Sequence, residues 1–429
     1  MLQHIRYKLF WFLDGIKGSK IKKHLKEIQE IIEHSTPTVY KAGSNKQLNK
    51  LLMHSIEHIT FYKTYNAAKR LEDFPVINKN IINANYNHFI SKTPHNEGTR
   101  IVSTSGSTGT PLKIIQNKNK ILRNTADTIY FSELAGYKVG YKLLFLRHWN
   151  PIYRKSKLIN WLQNTTPIEV VNMNDNDINN LLKAIEKDKS KKAWLGFPSG
   201  FEQICKYLDK TKSAPIKANI ASIIGIAEGV NTYTKSRMQY YFNTPMVSRY
   251  SNMENGIIAQ QMKNSTHFVI NWASFFVEIL KIDSDKPAEL NEYGRIVITD
   301  LFNYATPMIR YDTGDIGIMD YSASPPFLKH IEGRKTDVIY NTKGNITSPF
   351  MMTSVINFIG IKQIQLIQEG LKTYTIKLNC SQQFDKQEDL ILFFKSALGQ
   401  DAEITIKYTK GIPLLNSGKR KMTLNKLIS

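Results

Sequence analysis

Apolar residues return at every third or fourth position in the early part of the chain: Ile21, Leu25, Ile28 and Ile32, then Leu48, Leu51, Leu52, Ile56 and Ile59. That period puts one face of a helix against a core, and it predicts a largely helical scaffold or lid over residues 20–80. Pro75, in the run FPVINK, marks a turn toward the central body. Beyond it, the short apolar runs YKLLFL, KAWLGF and ASIIGI are separated by helix-like stretches, the alternation of an α/β sheet. The runs GRIVITD and MIRYDTGDIGIMD then shorten into alternating strands with Gly/Asp turns, as in a β-rich subdomain. After GRKTDVI the pattern changes again, and IQLIQEG, KTYTIKLNC, DLILFFKSAL and AEITIKY predict a separate small domain. The expected fold is α/β: a large layered N-terminal domain with a β-rich subdomain, plus a small α+β C-terminal domain. Its expected divisions are a helical region at 1–80, a core at 81–334 and the C-terminal domain at 335–429, with the main boundary close to Arg334.

Composition narrows the class. A chain of 429 residues, 41% hydrophobic and 22% charged, with 23 glycines and 15 prolines, is neither collagenous nor largely disordered. Cys205 and Cys380 lie far apart and make neither a metal-ligand pair nor a disulfide framework; both read as reduced packing thiols of a cytosolic protein. No run approaches a membrane span, and the N-terminus lacks the pattern of a signal peptide, so the expected location is cytoplasmic.

The net charge of +22 raises a nucleic-acid reading. Residues 335–429 carry 13 basic and 7 acidic side chains, so the surplus is spread along the chain, and no specific nucleic-acid partner is expected. The exception is the opening MLQHIRYKLFWFLDGIKGSKIKKHLK, where seven basic residues face Asp14 and Leu9, Phe10, Trp11, Phe12 and Leu13 interrupt the run. Two main readings stay open: a helix packed on its own domain, or a short helix lying in an anionic membrane surface at the inner face of the membrane, its lysines at the headgroups.

The strongest local chemical signal is STSGSTGTPLK, residues 103–113. Gly106 and Gly109 let the backbone approach an anion. The hydroxyls of Ser103, Thr104, Ser105, Ser107, Thr108 and Thr110 can donate to phosphate oxygens, and Lys113 supplies a cation. The segment is not a Walker A loop, and a plain Ser/Gly-rich linker is the alternative.

Four further segments follow in order: Tyr250-Ser251-Asn252-Met253-Glu254, Tyr311-Asp312-Thr313-Gly314-Asp315, Gly333-Arg334-Lys335-Thr336-Asp337, and Pro413 with Ser417-Gly418-Lys419. Together with the Ser/Thr/Gly loop they resemble the motif set of the adenylate-forming (acyl-CoA synthetase-like) superfamily. Within it the chain resembles the branch of phenylacetate-CoA ligases and capsular polysaccharide biosynthesis proteins, over roughly residues 45–429. The resemblance implies that Thr104 to Lys113 hold the ATP phosphates, Tyr250 lies near adenine, Glu254 binds Mg²⁺ and Asp315 accepts hydrogen bonds from both ribose hydroxyls. Arg334 would meet the nucleotide beside a hinge at 335–337. Lys419 would bridge the carboxylate and α-phosphate from a mobile C-terminal lid. Lys419, Glu254, Arg334 and Thr108 are thereby the expected catalytic set.

The resemblance also lays Ala227-Glu228-Gly229 along the adenine and acyl pocket and sets Arg147, His148 and Trp149 beside the carboxylate substrate. The plain structural readings are a helix-start carboxylate for Glu228, a surface salt bridge for Arg147 and a hydrogen-bonded bystander for His148.

Carboxylate attack on the α-phosphorus brings two anions together, so Mg²⁺ and cationic side chains are needed to offset the developing charge. Positioning and electrostatics supply the catalysis, and no nucleophile triad is required. The expected reaction converts ATP and a carboxylic acid to acyl-AMP and pyrophosphate, then transfers the acyl group to a thiol such as coenzyme A. The alternatives are transfer to a carrier-protein thiol or to the amine of a cell-envelope polysaccharide precursor, such as an amino sugar, and a degenerate homologue that binds nucleotide or acyl ligand without turnover. Ser251 and Met253 stand where the family carries glycine and a hydroxyl residue; Met253 supports the last reading, because a thioether is only a weak acceptor, whereas Ser251 or water can compensate for the lost hydroxyl. Some members of the branch carry cysteines and a histidine able to bind zinc; here His267 has no neighbouring cysteine, and no structural zinc is expected.

Overall fold

Three helices open the chain: α1 (Leu2–Ile16), α2 (Lys20–Glu33) and α3 (Pro37–His58). The computed structural model describes all residues except 1, 34–36, 69, 94–97, 104–111, 150–154, 172, 335–338, 346, 348–351, 353–354, 356–357, 359, 381–383, 414–421 and 428–429, and except the side chains of 37–45 and 333–334. Asp14 is buried, and its two carboxylate oxygens accept the amides of Ile21 and Lys22, each at 3.0 Å. It thus satisfies donors that the first turn of α2 leaves unpaired. The apolar stripes anticipated on α2 and α3 face inward, with Leu25, Ile28, Leu48, Leu51 and Leu52 in the core.

Helix α2 lies along α6 (Lys118–Leu134), joined through charge. Arg123 Nη1 donates to Glu27 at 2.6 Å and Arg123 Nε to Ser274 Oγ at 2.8 Å, while Lys120 and Asp300 form a fully buried ion pair at 2.7 Å. Such charges are tolerable in a core only when paired. Between α3 and α6 come two short helices, α4 (Lys79–Ala84) and α5 (Tyr86–Phe89), and an antiparallel hairpin of β1 (Thr99–Ser103) with β2 (Lys113–Asn117).

One sheet of eleven strands forms the body. Its parallel half holds β3 (Lys142–Arg147), β4 (Thr165–Glu169), β5 (Lys192–Gly196), β6 (Ile220–Ile226) and β7 (Met246–Asn252). Its antiparallel half holds β8 (Gly256–Gln261), β9 (Phe268–Ile270), β10 (Phe275–Leu280), β11 (Gly294–Asp300), β12 (Tyr311–Asp320) and β13 (Phe327–Arg334). The order is β10-β11-β12-β13-β9-β8-β7-β6-β5-β3-β4, so the antiparallel strands anticipated as a subdomain continue the parallel sheet through the β7–β8 pair.

Connections in the parallel half run through α7 (Lys157–Leu162), α8 (Asp175–Lys187), α9 (Pro198–Lys210) and α10 (Thr232–Phe242). Leu144, Leu146, Trp194 and Ile223 pack with Ile178, Leu182, Phe201 and Met238 from three of these helices. Covered strands of this kind read as continuous apolar runs, which is the origin of KAWLGF and ASIIGI. Cys205 sits in this cluster as a free thiol that burial pushes up to about 12.

A second, smaller sheet follows, with β14 (Ile361–Gln368), β15 (Thr373–Cys380), β16 (Glu403–Tyr408) and β17 (Thr423–Asn425) in the order β16-β15-β14-β17. Helix α11 (Gln387–Leu398) crosses between β15 and its parallel neighbour β16. Leu366, Ile376, Leu378, Leu390 and Phe394 give this unit a hydrophobic core of its own, which completes the α+β C-terminal domain.

Candidate active site

The parallel strands are in step: Leu146 lies opposite Gly196, Gly196 opposite Gly225, and Ile226 opposite Arg249. Their carboxyl ends therefore share one edge, where open α/β sheets hold ligands. Arg147-His148-Trp149 leaves β3 at that edge, Ala227-Glu228-Gly229 leaves β6, and Tyr250 to Glu254 closes β7.

A tight turn shapes the last of these. Asn252 Oδ1 accepts the amide of Asn255 at 2.8 Å, and Gly256 opposite Asn252 has φ +101°. A Cβ at Gly256 would stand 2.7 Å from Asn124 Oδ1, so close approach and backbone both call for glycine. Met253 is half exposed on this turn, whereas Glu254 is buried. Gln116 Nε2 on β2 donates to the Glu254 carbonyl at 3.0 Å, and Gln116 Oε1 accepts from Arg100 on β1 at 2.9 Å. The hairpin that carries the Ser/Thr/Gly loop is thus fastened to the Glu254 turn.

Strand β12 brings the second motif against the first. Arg310, just before it, adopts φ +50° and is anchored by Glu278 (3.0 Å) and by the Phe74 carbonyl (3.0 Å). Asp312 accepts the Gly314 amide at 2.8 Å and pairs with Arg295 at 2.9 Å; Thr313 Oγ1 donates to the Ile296 carbonyl at 2.9 Å. With the backbone held in this way, two phenols reach across. Tyr250 Oη donates to Asp315 Oδ2 at 2.7 Å and lies 3.2 Å from Thr313 Oγ1, and Tyr311 Oη donates to Glu254 Oε1 at 3.0 Å. Burial, and then the neighbouring carboxylate, pushes each phenol well above its ordinary value, so both stay protonated donors.

The structure thus brings Tyr250, Glu254 and Asp315 into one network. It sets the Arg334 backbone opposite Asp315 on the adjacent strand β13; the side chain of Arg334 lies outside the described residues. So do Thr104, Ser105, Gly106, Ser107, Thr108, Gly109 and Lys419. Of the Ser/Thr/Gly segment, Ser103, the buried Leu112 and the exposed Lys113 are described, and Ser103 pairs with Lys113 in the hairpin.

Glu228 follows Ala227, whose φ is +68°, and its carboxylate accepts the Ser199 amide (3.0 Å) and lies 3.3 Å from the Ser199 hydroxyl, at the start of α9. His148 Nδ1 lies 3.2 Å from Glu169 Oε1, and the Trp149 amide donates to Glu169 Oε2 at 3.0 Å. Burial alone would raise the Glu169 carboxyl, but the amides of Trp149 and Val171 and the His148 ring outweigh it and hold it below the usual range. The Arg147 guanidinium lies 5.5 Å from the Trp149 ring centre. His267 stacks on Phe327 at 4.2 Å.

Sequence reasoning missed Gln116 and Arg100 as the link between motifs, Tyr311 as the partner of Glu254, and Glu169. It also missed Glu332 on β13, where Tyr293 Oη donates at 3.1 Å and burial lifts the carboxyl to about 7.

Magnesium suits Glu254 by donor chemistry. The carboxylate is a hard oxygen ligand, and among the described residues no group of three or more His, Cys, Asp or Glu could hold a metal alone. Mg²⁺ is commonly held by one or two carboxylates together with substrate phosphates.

Residues 339–426 match the family model described as the CapK C-terminal domain. No curated protein matches the chain by sequence. Among solved structures, 2-hydroxyisobutyryl-CoA ligase in the postadenylation state with R3-HIB-AMP is similar over 92% of this chain and 91% of its own, with a TM-score of 0.72 and 14% identity. An open conformation of that ligase with 2-HIB-AMP and CoA is similar over 90% and 91%, with a TM-score of 0.60 and 15% identity. ATP-bound MatB from Rhodopseudomonas palustris is similar over 75% of this chain and 66% of its own, with a TM-score of 0.55 and 14% identity. The likeness is one of fold: the chain shares with 2-hydroxyisobutyryl-CoA ligase a large mixed α/β domain followed by a small α+β domain.

Proposed function

We propose that the chain is an AMP-forming acid–thiol ligase that adenylates a carboxylic acid with ATP and passes the acyl group to coenzyme A. The observation that carries this reading is the pair of crossed bonds, Tyr250 to Asp315 and Tyr311 to Glu254, at the carboxyl edge of the sheet. A carboxylate has about four acceptor sites, so Asp315 can hold the Tyr250 hydroxyl and still accept from ribose. Tyr311 fixes the Glu254 carboxylate, and Gln116 fixes its carbonyl beside the hairpin whose loop, Thr104 to Lys113, holds the phosphates. Glu254 would hold Mg²⁺, which would supply positive charge to offset that of the triphosphate. Arg334 reaches the nucleotide from beside Asp315, and Lys419 draws the substrate carboxylate toward the α-phosphate. Closure of the small domain then excludes water from the acyl-AMP.

The order of the motifs, together with the match of residues 339–426 to the CapK C-terminal domain, supports a place in the branch that holds capsular polysaccharide biosynthesis proteins. A second reading keeps the adenylate and passes the acyl group to a carrier thiol or to the amine of an amino-sugar precursor. Carboxylate-dependent exchange of labelled pyrophosphate into ATP, with Mg²⁺ and a panel of aryl, fatty, hydroxy and amino acids, tests the first step. Exchange with one acid establishes adenylation and names its class, and mass analysis with CoA or an amino sugar then separates thioester from amide. ATP binding with no exchange for any acid would leave the degenerate homologue marked by Met253.

A further inference from the structure

We propose that α1 and α7 together form a docking surface for an anionic phospholipid bilayer. The proposal stands on geometry and charge and does not depend on the reaction above.

Successive helix positions turn by about 100°, so Leu2, Ile5, Leu9, Phe12, Leu13 and Ile16 fall on one stripe about 100° wide. All six are exposed, Phe12 at 64% and Ile16 at 68%. Nearly opposite, α1 is seated on the body. Phe10 and Trp11 pack on the core, and Gln3 Nε2 donates to the Lys191 carbonyl at 2.7 Å while its Oε1 accepts the Lys191 amide at 3.3 Å. A side chain at Gly140 would collide with the Gln3 carbonyl. The outer stripe therefore stays outward because the helix cannot roll.

Arg6 extends the surface. Its guanidinium lies 5.4 Å from the Trp161 ring centre and donates to the Trp161 carbonyl at 3.1 Å, joining α1 to α7. There Leu158, Ile159, Trp161 and Leu162 are also exposed, Trp161 at 60%.

Charge selects the occupant. Asp14 is the sole acid of residues 1–26, and it is buried with both oxygens engaged by α2. Exposed charge within residues 1–26 is therefore positive: Lys8, Lys17, Lys20, Lys22, Lys23 and Lys26, the last lying 3.8 Å from the exposed Glu30 one turn further along α2. By helical angle Lys8 and Lys17 flank the stripe on its two sides. Apolar side chains between lysines match an acyl layer beneath anionic headgroups. A second copy of this face would instead oppose lysine to lysine across a twofold axis. Among the described residues no helix is long and apolar enough to cross a membrane, so the helix lies on the surface.

The test is co-sedimentation of the full chain with vesicles of phosphatidylglycerol and phosphatidylcholine, compared with phosphatidylcholine alone. Binding is expected to be at least tenfold stronger to the anionic vesicles. A Phe12→Ser/Ile16→Ser variant should lose at least tenfold at an unchanged unfolding temperature, and Lys8→Gln/Lys17→Gln should lose the preference for anionic lipid. Absence of binding, or equal binding by the Phe12→Ser/Ile16→Ser variant, overturns the proposal. So does a concentration-dependent dimer in sedimentation velocity that the same variant abolishes, since that assigns the face to a second copy.

Discussion

Asp315 serves two neighbours with one side chain, the Tyr250 phenol in the protein and the nucleotide ribose in the proposed reaction. Hydrogen bonds to a charged group contribute about 1.5–3 kcal/mol each. Asp315→Ala is therefore expected to weaken ATP binding by about 10- to 100-fold, measured by titration calorimetry; an unchanged dissociation constant would remove the ribose role. The motif strings were readable at this scale because each is a contiguous run of residues. Their partnerships were not: the Tyr250–Asp315 bond joins positions 65 apart and the Tyr311–Glu254 bond positions 57 apart, and only the order and register of the strands decide which phenol meets which acid. Glu169 was hidden in the same way, since the Trp149 amide and the His148 ring that meet it come from the end of a neighbouring strand.

Strand β13 ends beside the expected hinge and carries Glu332, which a reader of the sequence takes for an ordinary surface acid. Its burial depends on β12 and on Tyr293, neither of which the local pattern reports. Because its folded value, about 7, lies above the ordinary 4.5, the folded state binds the proton more tightly. The resulting stability is fully present below about pH 4.5 and is lost as pH rises through 7, roughly 3 kcal/mol by pH 8. Glu332→Gln keeps an acceptor for Tyr293 without the charge. It should raise the urea midpoint relative to the parent protein at pH 8 and change it little at pH 4.5; the same difference at both pH values would mean that Glu332 ionises normally in the fold. Helical elements were legible from their apolar period, yet α1 carries two apolar stripes, and periodicity alone does not say which one is docked.

In the proposed reaction the large domain and the small one share the work. The large sheet supplies Glu254 and Asp315, while Lys419 belongs to the chain that follows the small sheet's strand β16. Lys419→Ala is expected to cut pyrophosphate exchange by at least about 100-fold, in line with loss of one electrostatic donor at a transition state, and to leave the ATP dissociation constant within about threefold. Equal losses in both would place the lysine in nucleotide binding instead. The change from alternating strands and helices to a separate αβ pattern announced two bodies in the sequence. The strand order did not follow from it, because an apolar run reports that a strand is buried and not which strand lies beside it; β13, for example, inserts between β12 and β9.

The crossed phenols carry one more consequence. Each motif donates its hydroxyl to the acid of the other, so neither is a portable part. A chimera that takes 250–254 from a relative and keeps 311–315 of this chain breaks a reciprocal contract unless the phenols match. Tyr250→Phe and Tyr311→Phe should accordingly show epistasis in a double-mutant cycle of the exchange rate, with a coupling of at least about 0.5 kcal/mol; strict additivity would mean that the two bonds act as strangers.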